Sequence, residues 1–201
     1  VTLPTAAFNP SSLNPYMRLE APNYDSANKI WRDSSGNSRN VTRVIGTPAI
    51  TTTTIGNGSS KSFQTISGGT ADKFYFDNDP ISTDWTVLAL SRYSGASNRA
   101  RILTGNYSAS AYQDSSGNWL MGHWNGGAAI AHHNGWIANV YTTPAGYTVS
   151  DWIMSTSFPY NYRANGISRG TSGGTAELPP IGINTHTGEQ SDYQVAEVII
   201  F

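Results

Sequence analysis

Residues 118–127, with the sequence NWLMGHWNGG, place two tryptophans and a histidine within a few positions, and more histidines and a tryptophan follow. A sugar site needs a flat aromatic ring for the C–H side of a pyranose, and amides or carboxylates for its hydroxyls. Residues of these types lie near two successive turns: His123, Trp124, Asn125, His132, Asn134 and Trp136. If these segments pair as a hairpin, we expect those side chains to converge on one edge. The alternative, that the tryptophans only fill a core, stays open at this point.

Strand alternation sets Trp119, Met121 and His123 on one face of this segment, and Leu120 and Trp124 on the other. The pattern does not indicate which face meets solvent.

A polar loop that precedes the segment offers a second set of aromatic contacts. It carries Tyr107 and Tyr112, and loop tyrosines provide contact surface at a low cost in conformational entropy. We therefore include both tyrosines among the candidate ligand-binding residues. Anchoring of the loop is their alternative role.

The composition excludes several classes of function. The 201 residues are only 12% charged, with a net charge of -1 and no cysteine. Without a basic stripe, nucleic acid is not an expected partner. No apolar run is long enough to span a bilayer, so we expect no membrane insertion. The absence of cysteine excludes a disulfide framework and thiolate chemistry.

Short apolar segments recur at roughly ten-residue spacing and end at Gly, Asn or Pro, which predicts an all-β fold: a two-sheet antiparallel jelly-roll sandwich. Residues 84–94, DWTVLALSRYS, are apolar on both faces and predict a central strand covered on both sides. Asn165 and Gly166 predict a type I′ hairpin turn. Three prolines mark residues 1–15 as an extended lead-in or linker. We expect 16–201 to form one jelly-roll domain of a longer chain.

Five blocks in order carry a family resemblance: IWRDSSGNSRN, DWTVLALSRYSGASNRARILTG, NWLMGHWNGG, YRANGISRG and DYQVAEVIIF. Together they resemble the concanavalin A-like lectin/glucanase superfamily, in its laminin-G-like branch. The resemblance implies a concanavalin A-like jelly roll of two curved antiparallel sheets, and modules of this kind often bind glycans. It also implies that Trp31, Trp85, Gly166 and Glu197 maintain the fold and do not form a site.

Calcium is the one cofactor that the chain suggests, since many relatives hold one near the rim of the sandwich. Asp77 and Asp79 provide the hard oxygen ligands that calcium takes, although Asx-rich loops commonly form turns alone. His132 and His133 are adjacent, so on a strand they point to opposite faces and cannot both bind one ion.

Catalysis is not expected. Glycoside hydrolysis generally needs two carboxylates that flank the scissile bond, and the glucanases of the resembled superfamily carry theirs as an E-x-D-x-(x)-E triplet. Glu20, Glu177, Glu189 and Glu197 are the glutamates of this chain, and none has an acidic residue two positions away.

The sequence thus favours a non-catalytic carbohydrate-binding or adhesion module of an extracellular or virion surface protein, with a glycan or host-surface polysaccharide as partner. Its low charge and many Ser and Thr residues fit a second hypothesis equally: a structural or assembly domain of a viral capsid, fibre or surface layer that contacts neighbouring protein subunits. A polysaccharide-active enzyme is the third.

Overall fold

A computed structural model describes residues 9–105, 119–137, 143, 145–171, 173–174 and 177–201. The chain folds as two antiparallel sheets packed face to face. This confirms the predicted all-β sandwich. Among the described residues, no helix is both long enough and apolar enough to cross a membrane.

The first sheet contains the two ends of the described chain side by side. Seven strands lie in the order β13 (Ile167–Thr171), β12 (Asn161–Ala164), β11 (Ile153–Phe158), β7 (Val87–Tyr93), β15 (Tyr193–Ile200), β1 (Met17–Asp25) and β2 (Ile30–Asp33). In addition, β5 (Gln64–Gly68) pairs with the first half of β15, and β4 (Ala49–Thr52) pairs with β5.

The second sheet carries the residues that the sequence marked for ligand binding. Its strands lie in the order β10 (Gly127–His133), β9 (Trp119–Trp124), β8 (Leu103–Gly105), β14 (Ile181–Ile183), β6 (Lys73–Tyr75) and β3 (Arg43–Ile45). The described residues place β10 at one edge of this sheet.

Strand β7 is central, as predicted, because it pairs with β11 on one side and β15 on the other. Its inward residues, such as Val87 and Ala89, are buried. The outward residues Leu88 and Leu90 are only half-buried. The expectation of a strand covered on both faces therefore holds for the inner face and only in part for the outer face.

The chain before β1 packs against the first sheet. A short 3-10 helix at Pro10–Leu13 is capped by Asn9, whose side chain accepts a hydrogen bond from the Ser11 amide. The Arg18 guanidinium donates to Asn9 Oδ1 at 2.8 Å and to Ser11 Oγ at 3.0 Å. Residues 9–13 are thus fixed to strand β1 by this one arginine.

The core contains two clusters of aromatic rings, one at each end of the sandwich, and each is built around tryptophan. Trp31 contacts Phe74 edge-on at 5.2 Å between ring centroids. At the other end, Trp119 stacks on His133 at 5.2 Å, and Trp85 meets His133 edge-on at 5.6 Å. Trp31 and Trp85 are fully buried, which confirms their predicted role in the fold.

Between the sheets, serines of the first sheet lie opposite large rings of the second. The Ser157 hydroxyl hydrogen-bonds to His133 Nε2 at 2.7 Å, and the Ser91 hydroxyl lies 3.4 Å from His123 Nδ1. A small side chain on one sheet thereby leaves the volume that a ring on the other sheet fills.

The turn between β12 and β13 has the predicted form. Asn165 and Gly166 both have positive φ, at 51° and 79°, and Ala164 pairs directly with Ile167. Both central residues of a type I′ turn need this left-handed conformation, which Asn and Gly tolerate best. The hairpin prediction is confirmed.

The two interior histidines make folding stability depend on pH. Burial lowers the pKa of His123 and of His133 to about 3, from an ordinary value of 6.5. Between those values the unfolded chain binds protons that the folded chain does not. Stability therefore falls as the pH falls through this window, and the loss levels off below the folded-state pKa.

We expect His123→Met to reduce the slope of unfolding free energy against pH between pH 4 and 6 by up to about 1.4 kcal/mol per pH unit, the linkage value for one proton. Urea unfolding at pH 4, 5, 6 and 7 measures the slope. Tyr160→Asn is the control, since Tyr160 is exposed and its φ of 62° suits asparagine. An identical slope in His123→Met and the parent protein would contradict the assignment.

Candidate functional site

The six residues predicted near the β9–β10 hairpin separate into three groups in the structure. Trp124, His132 and Trp136 come together on the outer side of the second sheet, and we refer to these three rings as the aromatic shelf. His123 points inward. Asn125 and Asn134 are exposed in the two turns at opposite ends of strand β10.

The aromatic shelf is built around Trp136, which contacts both of the other rings. His132 stacks on Trp136 with a centroid distance of 4.2 Å and an interplanar angle of 12°. Trp124 meets Trp136 at 4.9 Å and 37°. Trp136 retains 37% of its accessible surface, and Trp124 and His132 are half-buried. The shelf thus presents partly exposed rings held in fixed positions.

A tight turn returns the chain to β10 and places Trp136 over His132. Asn134 has a φ of 59°, and His132 and Trp136 form an isolated antiparallel bridge. Gly135 permits the turn, since a Cβ there would lie 1.8 Å from the Gly173 carbonyl oxygen. No other residue fits so close to a backbone oxygen.

A polar wall borders the shelf, formed by Arg101, His186 and Glu189. Glu189 Oε2 accepts hydrogen bonds from Trp124 Nε1 at 3.2 Å and from Arg101 Nε at 2.5 Å. His186 Nδ1 lies 3.8 Å from the same oxygen. The Glu189 carboxylate therefore both fixes the Trp124 ring and neutralises the charge of the buried Arg101.

The protonation of the shelf histidine follows from its surroundings. Burial lowers the pKa of His132, and the positive charge of Arg101 lowers it further. His132 is consequently neutral near pH 7, so its imidazole can stack and can exchange hydrogen bonds with hydroxyls as both donor and acceptor.

The polar wall could not be predicted from the sequence. Arg101 and Glu189 are 88 positions apart, and the sequence shows Glu189 only as a glutamate without an acidic residue two positions away. No local pattern around Arg101 indicates a partner so distant in the chain. Only the pairing of β8 with β9 and β14 brings these segments to one place.

His123 requires a correction. Its ring is fully buried between the sheets, beside Ser91 and in edge-on contact with Tyr93 at 4.8 Å. A buried ring cannot contact a ligand at the outer surface, so His123 leaves the candidate set. Asn125 and Asn134 do not converge on one edge as expected, because the turns that carry them lie at opposite ends of β10.

The predicted tyrosines Tyr107 and Tyr112 lie outside the described residues. Their part in ligand binding stays a prediction.

The calcium candidates do not form a cluster. Asp77 is half-buried and burial raises its pKa, with Arg43 acting in the opposite direction, while Asp79 is exposed. Asn78 lies between them, and its Oδ1 accepts a hydrogen bond from the Ile181 amide at 2.8 Å. That oxygen therefore stabilises the fold. The described residues contain no group of three or more acidic or histidine side chains placed to hold a metal.

Two carboxylates do approach each other on the first sheet. Glu20 and Glu197 are direct partners in the pairing of β1 with β15. Arg18 lies between them and donates to each at 2.8 Å. Ser34 Oγ donates to Glu20 at 2.6 Å. Both carboxylates are therefore held by the same guanidinium, in keeping with the predicted structural role of Glu197.

Comparison with known proteins bears on the fold alone. No protein-family model matches the chain, and no curated protein matches it. Among solved structures it is similar to domain 4 of AbnA, a GH43 extracellular arabinanase from Geobacillus stearothermophilus, in complex with arabinotriose. The TM-score is 0.55 at 13% identity, over 92% of this chain and 91% of that one.

It is also similar to Trypanosoma rangeli sialidase, with a TM-score of 0.43 at 10% identity, over 92% of this chain but only 30% of the sialidase. The arabinanase domain supports the sandwich architecture. Membership of the concanavalin A-like superfamily and its laminin-G-like branch stays a prediction.

Removal of the wall carboxylate should destabilise the fold. In Glu189→Gln the Arg101 side chain, only 6% exposed, loses its counter-charge. We expect a loss of about 2 kcal/mol, below the cost of breaking a fully buried pair because Glu189 is partly exposed. Urea unfolding at pH 7 measures it.

The double variant Arg101→Met/Glu189→Gln is the control. Because it removes the buried charge together with its partner, it should recover part of the lost stability. A double variant less stable than Glu189→Gln by the full cost of Arg101→Met alone would show that the pair does not interact.

Proposed function

We propose that this chain is a non-catalytic carbohydrate-binding or adhesion module of an extracellular or virion surface protein, and that the aromatic shelf is its binding surface. The observation that carries the proposal is the set of three contacting, partly exposed rings beside an arginine-carboxylate pair. Stacked rings accept the apolar side of a sugar. The neighbouring carboxylate accepts hydrogen bonds from its hydroxyls, and the imidazole can accept or donate them.

The charge of the site favours a neutral sugar. Arg101 and Glu189 bind each other, so their charges compensate. A carboxylated or phosphorylated ligand would have to compete with Glu189 for the guanidinium. Neutral pentose or hexose oligosaccharides are therefore the ligand class that we propose for the shelf.

The absence of catalysis is also part of the proposal. Among the described contacts of the shelf and its wall, Glu189 is the one carboxylate. Glycoside hydrolysis generally uses two, one of them as acid. A Glu189 that accepts hydrogen bonds from Arg101 and Trp124 is well placed to orient a ring and poorly placed to transfer a proton.

Trp136→Ala should weaken neutral oligosaccharide binding at least tenfold, because the substitution removes the exposed ring that both other shelf rings contact. A glycan array identifies ligands, and calorimetric titration measures affinity. Arabinotriose is a suitable first probe, since the arabinanase domain of similar fold was solved in complex with it.

Tyr160→Asn is the matched control, because it removes an exposed aromatic ring from the first sheet. It should bind as the parent protein does. If the array shows no saturable ligand, or if Trp136→Ala binds as well as Tyr160→Asn, the proposal fails.

An assembly role is the second candidate, and exposed apolar side chains favour it. Met154, Tyr160 and Ile167 retain 44%, 46% and 58% of their surface, and all three belong to the β11–β13 end of the first sheet. Unpaired edge strands with apolar residues are sites of association between proteins. Light scattering after size exclusion tests it: a stable oligomer that Ile167→Lys dissociates would support assembly.

A calcium ion at Asp77 and Asp79 remains a further proposal for this module. Calorimetric titration with Ca²⁺, before and after Asp77→Asn, would test it.

A further inference from the structure

A pocket on the outer face of the first sheet is remote from the aromatic shelf, and no motif in the sequence indicated it. Its volume is about 330 Å³, at the lower end of the range for small-ligand sites. Four separate segments form it: the loop between β4 and β5, strand β7, the loop before β11, and the β12–β13 turn. The residues that matter here are Lys61, Phe63, Leu90, Tyr147, Trp152 and Asn165.

The walls of this outer pocket are aromatic. Phe63 and Trp152 contact each other at 5.0 Å between centroids, and Tyr147 is 37% exposed. Leu90 of strand β7 also lines the pocket. Gly58 lets Tyr147 approach the loop closely, since a Cβ at Gly58 would meet the Tyr147 ring at 3.1 Å. Trp152 is only 5% exposed, so the partly exposed ring of Tyr147 is the one that best fits the C–H face of a sugar.

The polar groups of the pocket include a donor without an acceptor. Asn165 Oδ1 accepts a hydrogen bond from the Met154 amide at 2.9 Å. Its Nδ2 is buried and makes no hydrogen bond with the described residues. A buried donor left unpaired is costly, and a ligand oxygen that reached it would remove that cost.

The charge of the pocket is positive. Lys61 is the charged residue among those that line it, and its exposed ammonium makes no ion pair with the described residues. Arg92 lies behind Trp152, 5.4 Å from its ring centroid, and Asp151 is its nearby counter-charge. Asp151 in turn accepts a hydrogen bond from the Thr148 amide at 2.6 Å. The arginine and aspartate compensate each other, and Lys61 is left unbalanced.

We propose that the outer pocket is a second saccharide site, for a sugar residue that carries a carboxylate. The aromatic walls take the ring, Asn165 Nδ2 donates to a ring substituent, and the Lys61 ammonium pairs with the carboxylate. The proposal does not depend on the aromatic shelf, which lies on the other sheet.

The chemistry of the probes separates the carboxylate from the rest of the sugar. Trigalacturonate and sialyllactose are the two charged probes, and they represent a uronic acid and a sialic acid. The methyl ester of trigalacturonate and lactose are their uncharged counterparts. The readout is the indole N–H signals in a ¹H–¹⁵N spectrum of the whole chain, which has six tryptophans, assigned with single Trp→Phe variants.

We expect at least one charged probe to shift the Trp152 indole signal in a saturable manner, and to bind more weakly as salt is added. Its uncharged counterpart should bind at least fivefold more weakly. Lys61→Ala should lower the affinity by roughly five- to tenfold, as expected for loss of a charge-assisted hydrogen bond near solvent. Lys61→Arg, which keeps the charge, should bind within about twofold of the parent protein.

Two further variants complete the test. Asn165→Asp keeps the oxygen that holds the turn, removes the Nδ2 donor and adds a negative charge that repels a carboxylate, so it should abolish the Trp152 shift with the charged probes. Lys29→Asn removes an exposed lysine from another turn, where a φ of 54° suits asparagine, and should bind normally.

The proposal is overturned if neither charged probe shifts the Trp152 signal, if Lys61→Ala binds like Lys29→Asn, or if the uncharged probes bind equally well. Because Trp136→Ala should leave this binding unchanged, failure here is distinct from failure of the shelf.

Discussion

Between the two sheets, serines of the first sheet lie opposite imidazole rings of the second sheet. Ser157 holds His133, and Trp119 stacks on the same imidazole with an interplanar angle of 7°. His133 is thereby fixed inward. Since neighbouring residues of a strand point to opposite faces, His132 must point outward. The packing of the core therefore determines which histidine can belong to the surface site.

The same constraint shapes the rest of the aromatic shelf. Among the described residues, strand β10 lies at the edge of its sheet, and the chain that follows it turns back along that side. It does so at Gly135, where the backbone of Gly173 leaves no room for a side chain. The returning Trp136 then covers His132 and meets Trp124. An inward histidine, an edge strand and one glycine together give three rings in fixed contact.

What could be predicted from the sequence was what depends on neighbours along the chain. Alternation identified the two faces of β9, the Asn165 and Gly166 pair identified a turn, and the adjacent histidines were correctly placed on opposite faces. The pairing of Arg101 with Glu189 could not be predicted, because 88 residues separate them and no local pattern records the contact. The outer pocket was unpredictable for the same reason, since four distant segments form it.

Leu90 shows why the outer pocket was not predicted, although β7 was correctly predicted to be a central strand. Leu90 was expected to be covered because β7 is apolar on both faces. It is only half-buried, and it lies in the outer pocket beside Trp152. An apolar residue on the outward face of a central strand needs a partner from outside the sheet, which here comes from loops that do not fill the space completely.

The two proposed sites differ in charge and lie on different sheets, with the core between them. At the aromatic shelf Arg101 and Glu189 compensate each other, whereas at the outer pocket Lys61 does not have a described counter-charge. A short oligosaccharide on one outer face cannot also occupy the other, so binding at one proposed site would be independent of binding at the other. They would reinforce each other only when the module meets a surface that carries both kinds of sugar, because tethered ligands raise the effective concentration at the second site. The specificity of such a module would then lie in the combination of a neutral and an acidic sugar, and each site alone could remain weak.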